Sequence, residues 1–316
     1  MVSTKKQSSL SLPMVQVDVF TDHALAGNSL AVFFDGRGLT TDQMQALARE
    51  MNLSETTFIL RGDAATEKTR GVRVRIFTVQ EELPFAGHPT LGTAFVLREQ
   101  HAAAPGEIKL DLNVGTVPVR FTEAAGLPVF GEMTQKDPVF GAIHQIADIA
   151  RLTNLSAAEF DASAPIQTVS TGLPYTMVPL RSLSAIERLR LDLDRAGDYL
   201  EPSGGKFIYF VCRETVDPKA RLHARMIFYN GDDPATGSAA GCCAAWMVAH
   251  GIAASDEQVL IEQGLEMHRP SSIFVRATRA TKDEGSQENS TDNHVANVRV
   301  GGNCVEVLRG EVTLAT

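Results

Sequence analysis

Gly231-Asp232-Asp233-Pro234-Ala235-Thr236-Gly237-Ser238-Ala239-Ala240-Gly241 lies between two apolar runs. Ala224–Tyr229 before it reads as a strand. Cys242–His250 after it is small and apolar and reads as a buried helix. The chain therefore leaves a strand, turns on Gly and Pro, and enters a helix through Thr236, Gly237 and Ser238. A helix entry leaves backbone N–H groups without intrahelical partners, and those donors with the positive dipole end form an anion site. Small residues let a ligand approach the backbone, and Asp233 puts an acid beside it. The alternative is an ordinary capped helix, with Asp233 and Ser238 serving only as caps.

The chain does this twice. Arg73–Phe77 is strand-like, Pro84-Phe85-Ala86-Gly87-His88-Pro89-Thr90 follows, and Leu91–Glu99 is helix-like. Around both turns other segments recur. Val15–Val19 is echoed by Ile166–Val169, and Glu107–Leu112 with Val117–Phe121 by Gln258–Glu262 with Ser272–Val275. The offset of about 150 residues is a domain-sized duplication, not a solenoid period. The expectation is an α/β (α+β) protein of two similar halves whose helix N-termini face one another. Residues 1–13 read as a disordered polar tail, 14–126 as the first half and 127–316 as the second, with the last strand free to cross back. The boundary is placed at Ala124-Ala125-Gly126.

A length of 316 residues suits two cores, and 44% apolar with 21% charged residues is ordinary for a soluble globular protein. A net charge of −9 without a Lys/Arg-dense run argues against a nucleic-acid surface. No apolar run reaches membrane-spanning length, so no membrane partner is expected. Met1–Pro13 lacks a signal-peptide core and contains no Arg, against secretion or a transit peptide. Cys212, Cys242, Cys243 and Cys304 show no metal-ligand spacing, and a reducing cytoplasmic compartment is expected. Cys242-Cys243 reads as small core filler. A homodimer is the expected assembly, since two-fold dimers predominate among soluble oligomers.

In chain order, Val15–Phe20 and Leu30–Phe34 read as strands joined by a Gly/Asn turn. Asn28 either serves that turn or offers its amide to a ligand. Thr41-Asp42 is expected to cap a helix over Gln43–Met51, and Gly62–Arg70 to be a polar loop. Thr56–Leu60 is a strand, so Glu55 sits at its lip. Partial desolvation there would raise its pKa into an acid/base range; the alternative is a surface Glu. His88 precedes Pro89, which suits the first helical position. The dipole disfavours an imidazolium there, so a neutral hydrogen-bonding His is expected, structural or functional. Val129–Gln135 is a strand, Pro138–Arg151 mostly helical, and Ile186–Leu191 helical. Strands are also expected over Ile166–Ser170, Thr176–Leu180 and Phe207–Cys212. Thr278–Asn293 reads as a mobile polar loop, and Val295–Val300 with Cys304–Leu308 as a hairpin turning on Gly301-Gly302.

Ser238 lacks the G-x-S-x-G elbow and a nearby His base, so it is not read as a nucleophile. No Walker motif is present and no G-x-G-x-x-G follows a strand, against a nucleotide or nicotinamide cofactor. A Glu, a His and an Asp near two helix starts suit proton movement on a small carboxylate-bearing molecule.

Asn52-Leu53-Ser54-Glu55-Thr56-Thr57-Phe58, Pro84–Thr90 and Asp233-Pro234-Ala235-Thr236-Gly237-Ser238-Ala239 together resemble the phenazine biosynthesis protein F (PhzF-like) family. Val19-Phe20-Thr21 with Gly27-Asn28, and Gln263-Gly264 before Arg269-Pro270-Ser271, resemble it too. The resemblance implies a diaminopimelate-epimerase-like fold: two pseudo-symmetric domains, each a curled, mostly antiparallel sheet around a central helix. It implies a cofactor-independent isomerase in which Glu55 carries the proton. His88, Asp233, Gly87, Gly237 and Ser238 fall on the family's other site positions. Related epimerases and racemases use two cysteines at the helix starts. Gly87 and Asp233 stand in those places here, against two-cysteine racemisation. An amino-acid epimerase or a catalytically silent protein-binding scaffold remain the alternatives.

Overall fold

The computed structural model describes residues 9–229, 231–279 and 295–315. Its connectivity repeats. The first run is β1 (Ser9–Val19), β2 (Asn28–Phe33), α1 (Thr41–Met51), β3 (Glu55–Leu60), α2 (Ala64–Arg70), β4 (Val72–Phe77), β5 (Glu82–Leu83), α3 (Gly87–Glu99), β6 (Glu107–Leu112), β7 (Gly115–Thr122) and β8 (Phe130–Thr134). Then come β9 (Val139–His144), α4 (Ile146–Ala150), β10 (Ile166–Ser170), β11 (Pro174–Leu180), α5 (Leu183–Glu187), α6 (Leu193–Leu200), β12 (Phe207–Cys212), β13 (Ala220–Phe228), β14 (Gly231–Asp233), α7 (Gly237–Ala249), β15 (Val259–Gln263), β16 (Ser271–Arg279) and β17 (Val295–Ala315).

Strands β1 to β8 without the helices, and β10 to β17, pair by one rule. The second strand lies antiparallel to the first and parallel to the third. The fourth lies antiparallel to the third and the fifth, and parallel to the strand after the buried helix. Two antiparallel steps complete each run. Even the ion pair beside the hairpin recurs, Arg75 with Glu82 and Arg225 with Asp232. The runs are stitched together. β9 pairs with β10, while β17 pairs with β16, then β8, and then runs along all of β1.

Helices α3 and α7 are the buried members. Every residue of α7 is buried, and nearly every one of α3. A helix apolar all round has no solvent face and belongs in a core. The Ala, Gly and Cys of α7 keep it thin enough for strands to close over it; a Cβ on Gly241 would lie 2.0 Å from Gln135 Oε1.

Several local expectations are corrected. The strand β1 reaches back to Ser9, overlapping the expected tail, because β17 extends far enough to pair with it; residues 1–8 lie outside the described residues. Thr40, not Thr41, caps α1, in a capping box with Gln43. Residues 64–70 are helix rather than loop, capped by Asp63, whose side chain accepts from Ala65 and Thr66 N–H. Pro89 is the third helical residue, since α3 starts at Gly87; its missing N–H is still harmless in the first turn. Val139–His144 is strand, not helix, and its alternating exposure shows the two-residue period that pairing with β10 imposes. Helix α5 ends at Glu187, short of the expected span, and α6 follows unforeseen.

Gly301 and Gly302 make no turn, because β17 runs straight through them. They are glycine for close approach: a Cβ on Gly301 would lie 2.7 Å from the Gly131 carbonyl oxygen, and one on Gly302 2.6 Å from the Phe20 ring. Of the expected loop Thr278–Asn293, Thr278 and Arg279 are strand and the rest lies outside the described residues.

Candidate active site

Helices α3 and α7 meet start to start. A Cβ on Gly87 would sit 2.4 Å from both Gly237 C and Ser238 N, so only glycine permits the approach. The first helical rungs are Thr90 N–H to Ala86 C=O and Ala240 N–H to Thr236 C=O. The N–H groups of Gly87, His88, Gly237, Ser238 and Ala239 precede them. Two positive dipole ends thus converge on one place, which favours an anion there.

Glu55 opens β3, and parallel pairing with Leu30 at the start of β2 sets its position. His88 is the second residue of α3, and Asp233 ends β14. The structure brings these three sequence-predicted residues together and buries them, at 6%, 2% and 5% exposure. Glu55 is thus more enclosed than its place at a strand lip suggested. Glu55 Oε2 lies 3.5 Å from His88 Nδ1. That oxygen and His88 Nε2 have no hydrogen-bond partner among the described residues. Burial pushes the Glu55 carboxyl well above the ordinary range, and the charge of Asp233 adds to this. Burial drives His88 down to about 3, against a smaller opposing backbone contact with Ser29. The imidazole is therefore neutral.

Asp233 is the hydrogen-bonded member of the set. Its Oδ1 accepts from Asn28 Nδ2 and Ser54 Oγ, each at 2.8 Å, and its Oδ2 from Thr236 Oγ1 at 2.6 Å. Burial raises Asp233 to about 6 against those three donors. Both carboxyls are thus shifted toward the protonated form, Glu55 by burial with no donor at Oε2 and Asp233 by burial against three donors. Asn28 Nδ2 also reaches Ala235 C=O at 2.9 Å and His88 Nδ1 at 3.2 Å. Two protons cannot serve three acceptors, so the two shorter bonds claim them and His88 Nδ1 is left facing Glu55.

Ser238, second in α7, shares a 2.7 Å hydrogen bond with the buried Tyr175 hydroxyl. Gln135 Nε2 donates to Gly237 C=O at 3.0 Å. Gly87 and Asp233 are not counterparts in the repeat. Leu83 and Asp233 occupy matching places, paired with Ile76 and Met226 and four residues before their helices; Gly87 matches Gly237.

Sequence reasoning passed over Ser54, Thr236, Tyr175, Gln135 and Gln263 and left Asn28 undecided. Ser54, Thr236 and Gln263 stood inside recognisable motifs. Tyr175 and Gln135 carried no local signal, since Tyr175 reaches the site from β11 and Gln135 from just past the end of β8, both distant in sequence.

The trans-2,3-dihydro-3-hydroxyanthranilate isomerase of Pseudomonas chlororaphis is 34% identical over 310 residues, covering 95% of this chain and 99% of its own. An uncharacterized isomerase of Mesorhizobium japonicum is 37% identical over 322 residues, covering 93% and 96%. The fold matches a phenazine biosynthesis protein of the PhzF family from Bacillus anthracis, with a TM-score of 0.81, 26% identity and coverage of 96% and 99%. The protein is an isomerase. The family model described as phenazine biosynthesis-like protein (PhzC-PhzF) matches residues 17–310, and the chain belongs to that family.

Proposed function

We propose that this protein is a cofactor-independent isomerase that moves a proton between carbons of a small carboxylate-bearing molecule, with Glu55 as the acid/base. The carrying observation is Glu55 itself: a carboxyl buried beside two helix starts, with Oε2 unpartnered. An unsatisfied buried acid is unfavourable unless something else uses it. In this reading the N–H groups of Gly87, Gly237 and Ser238 hold the substrate carboxylate and stabilise enolate-like charge as a proton leaves carbon. Asp233 and neutral His88 hold the rest of the substrate and stabilise charge around it.

The repeat supports proton transfer along one face. Leu30↔Glu55 and Tyr175↔Phe207 are matching first pairs of the two parallel ladders. The counterpart of Glu55 is therefore Phe207, and that of Asp233 is Leu83. An epimerase needs acid/base groups on opposite faces of one carbon. In the repeat, a phenyl ring and an alkyl chain stand at the positions that correspond to these two carboxyls. We read residues 14–126 and 127–316 as two domains, the second lending β8 and the far end of β17 to the first, with the site between them. Substrate entry then requires the two helix starts to part, since the three side chains are enclosed.

The test is Glu55→Gln in deuterium oxide, with trans-2,3-dihydro-3-hydroxyanthranilate, the compound named for the Pseudomonas chlororaphis relative, as first substrate. NMR should show deuterium entering product with the native protein and none with the variant, while the variant still binds. Undiminished exchange in the variant removes Glu55 from the role.

A further inference from the structure

We infer that Gln263 is a positioning residue: by orienting the Thr236 hydroxyl it ensures that both oxygens of Asp233 face only donors. The inference rests on the reading above only in taking Asp233 as part of the reaction site.

Gln263 ends β15 and is fully buried. Its Oε1 accepts from the Tyr209 hydroxyl at 2.9 Å and from Thr236 N–H at 3.1 Å. A backbone N–H can only donate, so the amide cannot be turned the other way. Its Nε2 must then face the Asp233 carbonyl at 2.7 Å and Thr236 Oγ1 at 2.9 Å. All four hydrogen-bonding positions of the side chain are filled. Thr236 Oγ1, receiving an N–H from Gln263, directs its own proton to Asp233 Oδ2 at 2.6 Å. Direction therefore passes down a chain, from Gln263 to Thr236 to Asp233.

The other oxygen meets the same condition, with Asn28 and Ser54 both donating to Oδ1. A protonated Asp233 would need an acceptor, which the Asn28 amide N–H cannot be and which the Ser54 and Thr236 hydroxyls become only by turning their own protons away. The titratable groups around it are Glu55, Asp232, His88 beyond Asn28, and the phenols of Tyr175 and Tyr209. None supplies a cation at neutral pH, because His88 is neutral. The donor chain is thus what holds charge on Asp233, and that charge in turn favours the proton on Glu55. Gln263 reaches the acid through two intermediaries.

The measurement is a carboxyl NMR titration of protein labelled with ¹³C-aspartate, the Asp233 signal being assigned by its loss in Asp233→Asn. Losing one donor should raise the Asp233 midpoint by about one pH unit. Gln263→Met should do this by freeing the Thr236 hydroxyl, and Thr236→Val by deleting it. The double variant should move the midpoint no further than Thr236→Val alone, because both act through one hydroxyl. A wild-type midpoint in Gln263→Met, or additive shifts in the double variant, overturns the inference. Should Gln263→Met fail to fold, Thr236→Val against Thr236→Ser decides: the valine must move the midpoint and the serine must not. The titration needs no substrate, so its outcome is independent of whether Glu55 carries the proton.

Discussion

Among the described residues, two Glu–His clusters lie in the interior, and they differ in what surrounds them. Beside Glu55, His88 has one nitrogen unpartnered and a 3.5 Å approach at the other. On β13, His223 is held at both nitrogens, by Glu262 at 2.8 Å and Glu266 at 2.7 Å. Glu262 further accepts the N–H groups of Val216 and Asp217. Burial acts alike on both imidazoles, pulling them toward the neutral form. At His223 the bonds to Glu266 and Glu262 overcome it and raise the pKa; at His88 nothing of that size opposes it. Burial with partners makes an ion network that holds strands together. Burial without them leaves groups whose bonding capacity is free for something that binds.

The strongest way to break this contrast is to neutralise each cluster. Glu55→Gln should lower proton exchange by about 10²–10⁴-fold, the span typical of a lost general acid/base. Calorimetry should find its melting temperature at neutral pH no lower than that of the native protein. A clear fall in stability with exchange intact would make Glu55 structural. His223→Ala should show the reverse, leaving two buried carboxyls uncompensated and costing about 3–5 kcal/mol in urea unfolding. Exchange per folded molecule should survive, and a stable but inactive variant would assign His223 to the chemistry.

A pH series sharpens the comparison. His88 has a depressed folded pKa, about 3 against 6.5, so its stability contribution is present above 6.5 and lost as pH falls. That loss is about 2 kcal/mol between pH 6.5 and 5, and His88→Asn should remove it from the acid side of the stability curve. His223 has a raised folded pKa. Its contribution is complete below 6.5 and lost as pH rises through the folded value, so His223→Ala should flatten the alkaline side instead. Asp233, raised to about 6 from 3.8, loses stability as pH rises through 6 and partly offsets His88. Identical acid slopes for native and His88→Asn proteins would contradict a neutral buried imidazole. The smallest effect is expected for Glu266→Gln. It keeps the bond to His223 but removes its charge assistance, for about 1 kcal/mol by urea unfolding.

The repeat was legible because each copy carries its own punctuation. Gly and Pro after a β-branched run, then small apolar residues, mark strand, turn and buried helix from local chemistry. Glu55 was recognisable as an acid at a strand start. What could not be read was how completely β3, α3 and α7 enclose it. Two of the errors of type, at residues 139–144 and 301–302, share a cause. An edge pairing made one segment a strand, and a close strand crossing made the glycine pair a spacer instead of a turn.

The sequence by itself located the turns that lead into helices α3 and α7 and which ionisable side chains stand near them, since caps, glycines and prolines act over a few residues; the first turn of α3 begins earlier than Pro89 suggested. Only the tertiary structure decided that Glu55 is enclosed with its Oε2 unpartnered while Asp233 receives three donors. Those donors come from Asn28, Ser54 and Thr236, brought together from segments far apart in the chain, and solvent exclusion is a property of the assembled walls, not of any one stretch.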